Sequence, residues 1–468
     1  MMFPMVLRLT DTLTNTERPL APISPDRILR IYVCGITPYA ESHVGHALHA
    51  IVFDVLRRYL EWRPAQDEAT PWLGVKHVQN FTDIDDKLID RSQRMGISML
   101  DLADQNIEAY FRQLTAMNVL PATEYPRVTQ LVPNIVRFIE GLVAKGAAYE
   151  SGGDVYYRVR SKNDYGKLSK RDINDLLSGA RVDASELKDD PLDFALWKTA
   201  KPGEPSWESP WGQGRPGWHI ECSVMSYESL GEQIDIHGGG ADLIFPHHEN
   251  EIAQTESYTG RPPFANFWMH NALLQLGSDK MSKSIGNMIS IGEVLERFGG
   301  DALRMFVITS HYRSPSTYSD EALEASAKGA ERLREAAFGG SSGESLTFGA
   351  AAVRNRFMEA MDLDLNTPRA LAVLFELARD INRERTAGND TGGMQRLLRQ
   401  LAGVLGFNLE APAQKKQEAA PFIDLLVELR RELRTAKQYQ LADSLRDRLV
   451  ALGVELRDSS EGTDWTLR

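Results

Sequence analysis

The two cysteines of this 468-residue chain, Cys34 and Cys222, constrain its fold more than any other residues. Each lies in a run of chemically able side chains: Tyr32-Val33-Cys34-Gly35 and Trp218-His219-Ile220-Glu221-Cys222-Ser223. A third run, Pro246-His247-His248-Glu249-Asn250-Glu251, follows. Thiols, imidazoles and carboxylates are the donors of tetrahedral zinc, a borderline-soft ion that can also hold a substrate thiolate. Such a site exists only if folding carries remote stretches to one point. The plain alternative is two unrelated buried cysteines, which cysteine's burial habits favour when nothing else is considered.

Length divides the chain into two to four domains. An apolar fraction of 42% and a charged fraction of 25% are those of a soluble globular protein. Two cysteines argue against a disulfide framework and for a reducing compartment. Met1–Arg8 has neither a basic n-region nor a small-residue cleavage site, so no signal peptide is read there. No segment approaches the roughly 20 apolar residues of a membrane span, and the cytoplasm is the expected location. The net charge of −12 discourages nucleic-acid binding without excluding it, because local Lys/Arg patches decide that.

Arg30–Cys34 reads as a short buried strand. The turn Gly35-Ile36-Thr37-Pro38-Tyr39 follows, and Ser42-His43-Val44-Gly45-His46 leads into a helical pattern over Ala47–Trp62. Strand, turn and helix in that order open a nucleotide-binding βαβ unit. A second strand, Val75–Phe81, ends in Thr82-Asp83-Ile84-Asp85-Asp86-Lys87. Carboxylates at a strand's C-terminal end face the ligand crevice of an open α/β sheet; Asp83, Asp85 and Asp86 are read as structural anion caps with no clearer role. Ile97–Lys145 reads as helical, broken at Pro121 and Pro126, and Gly152–Arg215 as a loop-rich insertion. The nucleotide fold restarts near Gly217 and includes a strand from Ile234 into the Gly238–Gly240 turn.

Gly339–Gly343 is a linker by composition. Ala351–Leu405 reads as helices interrupted at Gly388–Gly393. In the tail, one helix is expected to present Phe422, Leu425, Leu426, Leu429 and Leu433 on one face, and a second Leu441, Leu445 and Leu449. A hairpin of Val454–Leu456 and Trp465–Leu467 closes a small α+β module.

Two motifs bear on phosphate. His43 and His46 flank Gly45 where a helix begins; free N–H groups and the dipole there attract anions, and glycine allows close approach. Alone, the pair is as readily a surface pair. Lys280-Met281-Ser282-Lys283-Ser284 sets two lysines in a glycine-flanked loop, able to close over a triphosphate.

With both motifs present, the chain resembles the class I aminoacyl-tRNA synthetases and, more narrowly, the cysteinyl-tRNA synthetase family. The match spans Tyr32–His46, Asn80–Lys87, Tyr165–Lys167, Gly214–Ser223, Asp235–Gln254, Lys280–Asn287, His311–Ser314 and the tail. The resemblance implies one Zn2+, structural and substrate-binding, on Cys34, Cys222, His247 and Glu251. His247 and Glu251, at i and i+4, face the same way on a helix with Pro246 as its first residue; His248 and Glu249 then fall behind the ligands or at the surface.

The resemblance further implies His43, His46, Lys280 and Lys283 as catalytic residues, with Gly45, Gly238, Gly239 and Asp242 joining them at ATP. Gly35, Thr37, Trp218 and His237 surround the amino acid. Mg2+ accompanies ATP, and the partners are L-cysteine, ATP and tRNA(Cys), with no membrane and a monomeric enzyme. The implied fold is α/β: a Rossmann-like catalytic domain in two halves (1–95 and 216–340), an inserted subdomain (96–215), a tRNA-binding helical bundle (341–410) and a small α+β anticodon-binding domain (411–468). The alternative acceptor is that of a close relative, the cysteine:glucosaminyl-inositol ligase of mycothiol synthesis, whose wording Gly35–Tyr39 also resembles. The tail opposes it, with Phe357–Pro368 and the cluster Arg430, Arg431, Arg434, Lys437, interleaved with Glu428 and Glu432.

Overall fold

The computed structural model describes residues 6–172, 187–276, 279–280, 289–338, 349–410, 416–458 and 463–467. Its centre is a four-stranded sheet built from β1 (Ile28–Ile36), β2 (Gly74–Phe81), β3 (Ile234–Gly240) and β4 (Ala265–Asn271). The order is β4-β3-β1-β2, and all neighbours are parallel. Helix α1 (Val44–Trp62) connects β1 to β2; α2 (Trp218–Leu230) precedes β3, and α3 (Glu249–Thr259) connects β3 to β4. Parallel strands covered by crossover helices are buried on both faces, which is why β1 reads as Ile-Leu-Arg-Ile-Tyr-Val-Cys rather than as alternation.

Close packing sets the glycines of β3. A Cβ on Gly238 would meet the Phe53 ring of α1 at 2.3 Å, and one on Gly239 would meet His248 at 2.6 Å. Between Val33 and Ile36 the pairing of β1 with β2 shifts register, and Cys34-Gly35 occupies that irregularity. Such breaks re-aim side chains at strand ends.

The inserted segment is more structured than its composition promises. After helices Asp86–Met95, Met99–Ala116 and Val128–Ala144 comes a four-stranded antiparallel sheet of Ala148–Ser151, Asp154–Tyr157, Phe194–Thr199 and Gly214–Pro216. The proline- and glycine-rich stretches are its connections, and Val155, Tyr157, Leu196 and Trp197 give it a buried face.

Asp83 is a cap, as expected: its carboxylate accepts from the Thr129 N–H at 3.0 Å and the Thr129 hydroxyl at 2.5 Å, on the first turn of Val128–Ala144. Asp85 caps Asp86–Met95 through the Lys87 N–H. Asp86 pairs with Arg215 and Lys198 of the insertion.

Beyond β4 the short strand Leu274–Leu276 pairs with Asp279–Lys280 and with Ser316–Tyr318. Three further helices, Ala350–Met361, Thr367–Thr386 and Gly392–Val404, pack within the same compact unit, which extends to Leu409. None of the described helices is long and apolar enough to cross a membrane.

Residues Glu410–Arg468 form a second unit: helices Lys416–Thr435 and Tyr439–Ala451 and a hairpin, Val454–Asp458 with Thr463–Leu467. Its core corrects the expected helix faces. Ile423, Leu426, Val427 and Leu445 pack with Leu449, Val454, Leu456 and Trp465, whereas Phe422 (69% exposed), Leu425, Leu429 and Leu441 face outward. The hairpin selects the face one position round from the leucine stripe, and that face also buries Arg430, so the basic cluster does not form one solvated row.

Candidate active site and metal centre

A cavity of about 370 Å³ opens at the C-terminal ends of the sheet strands, where α/β folds bind ligands. Cys34 reaches it from the end of β1, Cys222 from α2, and His247 from the turn that leads into α3. Glu251, one turn along α3, is fully buried behind them. Cys34 Sγ lies 3.7 Å from Cys222 Sγ, 3.6 Å from His247 Nε2 and 3.6 Å from Glu251 Oε1, and His247 Nε2 is 3.1 Å from Glu251 Oε1. One donor atom from each falls within 4.8 Å of all the others, an arrangement compatible with a metal site.

Pro246 is not the first residue of a regular helix. Ile244–His248 is a single wide turn and α3 proper starts at Glu249.

The electrostatics are those of a charge cluster closed off from water. The Cys34 thiol hydrogen-bonds Cys222 and, aided by His247 against burial, lowers Cys222 to about 6. Burial and that same bond hold Cys34 well above the ordinary thiol value. Burial alone disfavours imidazolium at His247, but Glu251 and Cys222 outweigh it and raise the ring to about 10. Burial also opposes the Glu251 carboxylate, yet His237 and His247 bring it down to about 2. Anionic donors thus crowd one cationic ring, a balance that a metal cation would invert.

Cys34 and Glu251 also form a compact group with His237 and His248. Neither of those histidines lines the cavity, and this second group lacks a second sulfur. His237 acts on the carboxylate from behind, its Nε2 2.8 Å from Glu251 Oε2, whereas His248 turns its Nδ1 to His270 Nε2 at 2.8 Å and stays 3.9 Å from Glu251 Oε1. His237, expected beside the amino acid, does not line the cavity and lies behind Glu251.

His248 and Glu249 are buried rather than at the surface. The Glu249 carboxylate is needed inside, because it accepts backbone N–H bonds from Gly166, Leu168 and Ser169 and so ties the insertion to the helix that carries Glu251.

Trp218 is 43% exposed, lines the cavity and stacks on His247 with centroids 4.5 Å apart. Gly35 and Thr37 also line it. At Gly35 no side chain fits, since a Cβ would fall 1.7 Å from the Asn80 carbonyl oxygen.

Opposite the cluster, His43 and His46 form the N-terminus of α1. His43 Nδ1 accepts from the Gly45 N–H, His46 Nδ1 accepts from the His43 N–H, and the rings stack at 3.8 Å. With both Nδ1 atoms accepting, a neutral ring carries its proton on Nε2. Gly45, Gly240 and Asp242 complete that wall, while Gly238 and Gly239 serve packing. Lys280 lies on Asp279–Lys280, with its side chain outside the described residues, as is all of Lys283.

Sequence reasoning missed four residues. His49 Nε2 donates to the Cys34 carbonyl at 3.0 Å, and its Nδ1 lies 3.0 Å from Asn271 Oδ1. Asn80 Oδ1 accepts from the Gly35 N–H at 2.8 Å. His219 Nδ1 lies 3.0 Å from His247 Nδ1. Burial and His247 hold the His219 ring neutral, so it can accept from His247 and fix which nitrogen faces the cluster. The i+3 repeat of His43, His46 and His49 was the available signal for His49.

The family model for the tRNA synthetases class I (C) catalytic domain matches residues 20–328, and that for the DALR domain matches 356–410. A cysteine--tRNA ligase of Dehalococcoides mccartyi is 51% identical over 465 residues, 99% of this chain and 100% of that protein. One from Thermotoga maritima is 45% identical, covering 98% and 100%, and one from Carboxydothermus hydrogenoformans 44%, covering 98% and 99%. Among solved structures, Mycobacterium tuberculosis methionyl-tRNA synthetase in complex with methionyl-adenylate matches 86% of this chain and 94% of that one. Its TM-score is 0.57 at 17% identity, a likeness of fold. A full-length match at this identity, over a catalytic and a DALR domain, leaves one placement: the chain belongs to the cysteine--tRNA ligase family of class I tRNA synthetases.

Proposed function

We infer that the chain is a ligase that activates L-cysteine with ATP and transfers it to tRNA(Cys). In the first step a cysteine carboxylate oxygen attacks the α-phosphorus in line. The bond from that phosphorus to the bridging oxygen breaks, and cysteinyl-adenylate and pyrophosphate result. In the second, a ribose hydroxyl of the 3′ adenosine attacks the activated carbonyl and AMP leaves. Both steps are catalysed mainly by positioning and charge stabilisation.

The observation that carries this reading is the buried Cys34/Cys222/His247/Glu251 group at the floor of the cavity lined by His43 and His46. Two sulfurs, one imidazole and one carboxylate fit Zn2+, and with both thiols ionised they present three anions around one ring. Bound there, zinc supplies a thiophilic Lewis acid that accepts a thiolate far more readily than an alcohol. Packing alone separates such similar side chains by only about 1–3 kcal/mol.

Trp218 stacks over His247 and walls the amino-acid end, with Gly35 and Thr37 beside it. His237 and His219 orient the ligating side chains. The Nε2–H groups of His43 and His46, at the positive end of the α1 dipole, face the phosphates, which arrive with Mg2+, and Lys280 and Lys283 close the other side. Gly240 and Asp242 take the adenosine.

The helical bundle and the tail hold tRNA, the tail at the anticodon, and the enzyme works as a cytoplasmic monomer. The mycothiol-ligase alternative is disfavoured, since the relatives match to full length and the DALR domain is present. The test is cysteine-dependent pyrophosphate exchange and tRNA(Cys) charging, with cysteine and with serine, before and after chelation. Loss of cysteine charging on verified metal removal is expected; undiminished charging without metal overturns the zinc assignment.

A further inference from the structure

The connection from Asp362 to Leu365, between helices Ala350–Met361 and Thr367–Thr386, is held in a costly conformation. Asp364 and Leu365 each have φ of 52°, in the left-handed region that side chains other than glycine avoid. Such strain persists only where the surroundings over-determine it. Asp364 is 5% exposed, and its carboxylate accepts from the Thr10 N–H (2.9 Å), the Thr10 hydroxyl (2.6 Å) and the Tyr312 hydroxyl (2.7 Å), with Arg313 at 3.5 Å. Its carbonyl accepts from His311 Nε2 at 2.8 Å.

The segment seated this way leads back to the cavity. The Tyr312 carbonyl accepts from the N–H of Ala272, which lines the cavity edge. The chain then enters Ser316–Tyr318, which pairs with Leu274–Leu276, the strand that also carries Asp279–Lys280.

We propose that Asp364, remote from the cavity in the helical domain, is a positioning residue for ATP: by seating His311–Arg313 it fixes the cavity edge at Ala272 and the strand that presents Lys280. This rests on Lys280 being a phosphate-binding residue of the ligase. The amino-acid end is built on β1, α2 and α3 and reaches this edge indirectly, through His49 between the Cys34 carbonyl and Asn271, which precedes Ala272.

The test measures pyrophosphate exchange with the full-length, metal-loaded protein, comparing Asp364→Asn and Tyr312→Phe with the wild type and with Asp83→Asn, a destabilised control. The KM for ATP should rise roughly three- to tenfold in Asp364→Asn and in the same sense in Tyr312→Phe, the KM for cysteine staying unchanged in both. Tyr312→Phe removes one hydroxyl only, so it keeps the test open if Asp364→Asn does not fold. Equal rises in both KM values, or a lower kcat with neither KM moved, as a simple loss of folded enzyme produces, overturn the proposal. A wild-type protein without cysteine-dependent exchange overturns the ligase reading instead.

Discussion

The floor and the rim of the cavity are built by opposite means. At the floor, four side chains from remote segments meet out of water, and every group depends on the charge of its neighbours: Cys222 falls to about 6, Glu251 to about 2, and His247 rises to about 10. At the rim, His43 and His46 are only half-buried, sit within one turn of α1, and add two ring donors to the positive end of that helix's dipole, whose first N–H groups are already capped. Coupled buried charges fail together when one is removed, because the remainder are left uncompensated. Independent donors fail by increments. The amino-acid end should therefore be all-or-nothing under substitution, and the phosphate end graded.

The hardest blow to that contrast is Cys222→Ser. The alcohol is a poor metal donor and leaves the Cys34 thiol without its thiolate acceptor. Bound metal should be lost and cysteine-dependent exchange should fall to background while far-UV circular dichroism stays native; elemental analysis and exchange measure both. A variant that keeps half of its activity would show the floor to be no more cooperative than the rim.

His46→Ala probes the other end. It removes one ring donor and the acceptor for the His43 N–H, and kcat for exchange should drop roughly 10²- to 10³-fold. Metal content and the KM for cysteine should not change. A loss of metal here would mean that the two ends are one coupled unit.

Between the extremes lies His237→Gln. Glu251 loses a 2.8 Å contact on Oε2 yet keeps all four candidate ligands. Metal affinity should weaken by roughly 10- to 100-fold, with activity recovered on adding zinc. Cys222→Ser should show no such recovery, and titration with a competing chelator separates the two.

How far the sequence revealed these arrangements follows the range of the forces behind them. The strand–turn–helix at Ile28–Trp62 was readable because buried parallel strands and helix starts leave local signatures. The meeting of Cys34, Cys222, His247 and Glu251 was readable through a family resemblance, since no local pattern joins Cys34 to Glu251. What stayed hidden was non-local. His219 and His49 matter through contacts with His247 and Cys34 that exist only once α2 and α1 are packed. The buried place of Arg430 and the outward turn of Phe422 depend on which helix face the C-terminal hairpin covers, a choice that a leucine stripe could not settle. The insertion's sheet was masked by proline and glycine, which punctuate its connections without reporting the strands between them.

Asp83 gives the smallest effect and the sharpest limit on the comparison. It follows β2 at its C-terminal end, where carboxylates of this fold class face ligand, and Thr82 just before it lines the cavity. Yet both of its oxygens are spent on Thr129, and it does not line the cavity itself. Burial raises its carboxyl, and the two Thr129 hydrogen bonds, with the Arg127 charge nearby, work against that shift. Asp83→Asn should therefore cost about 1 kcal/mol of stability, the ordinary worth of a helix cap, read as a lower urea midpoint at unchanged slope. Both KM values and the metal content should match the wild type. A shift in either KM would enlarge the amino-acid end to include β2's acidic terminus, and the division between a coupled floor and an independent rim would have to be redrawn there.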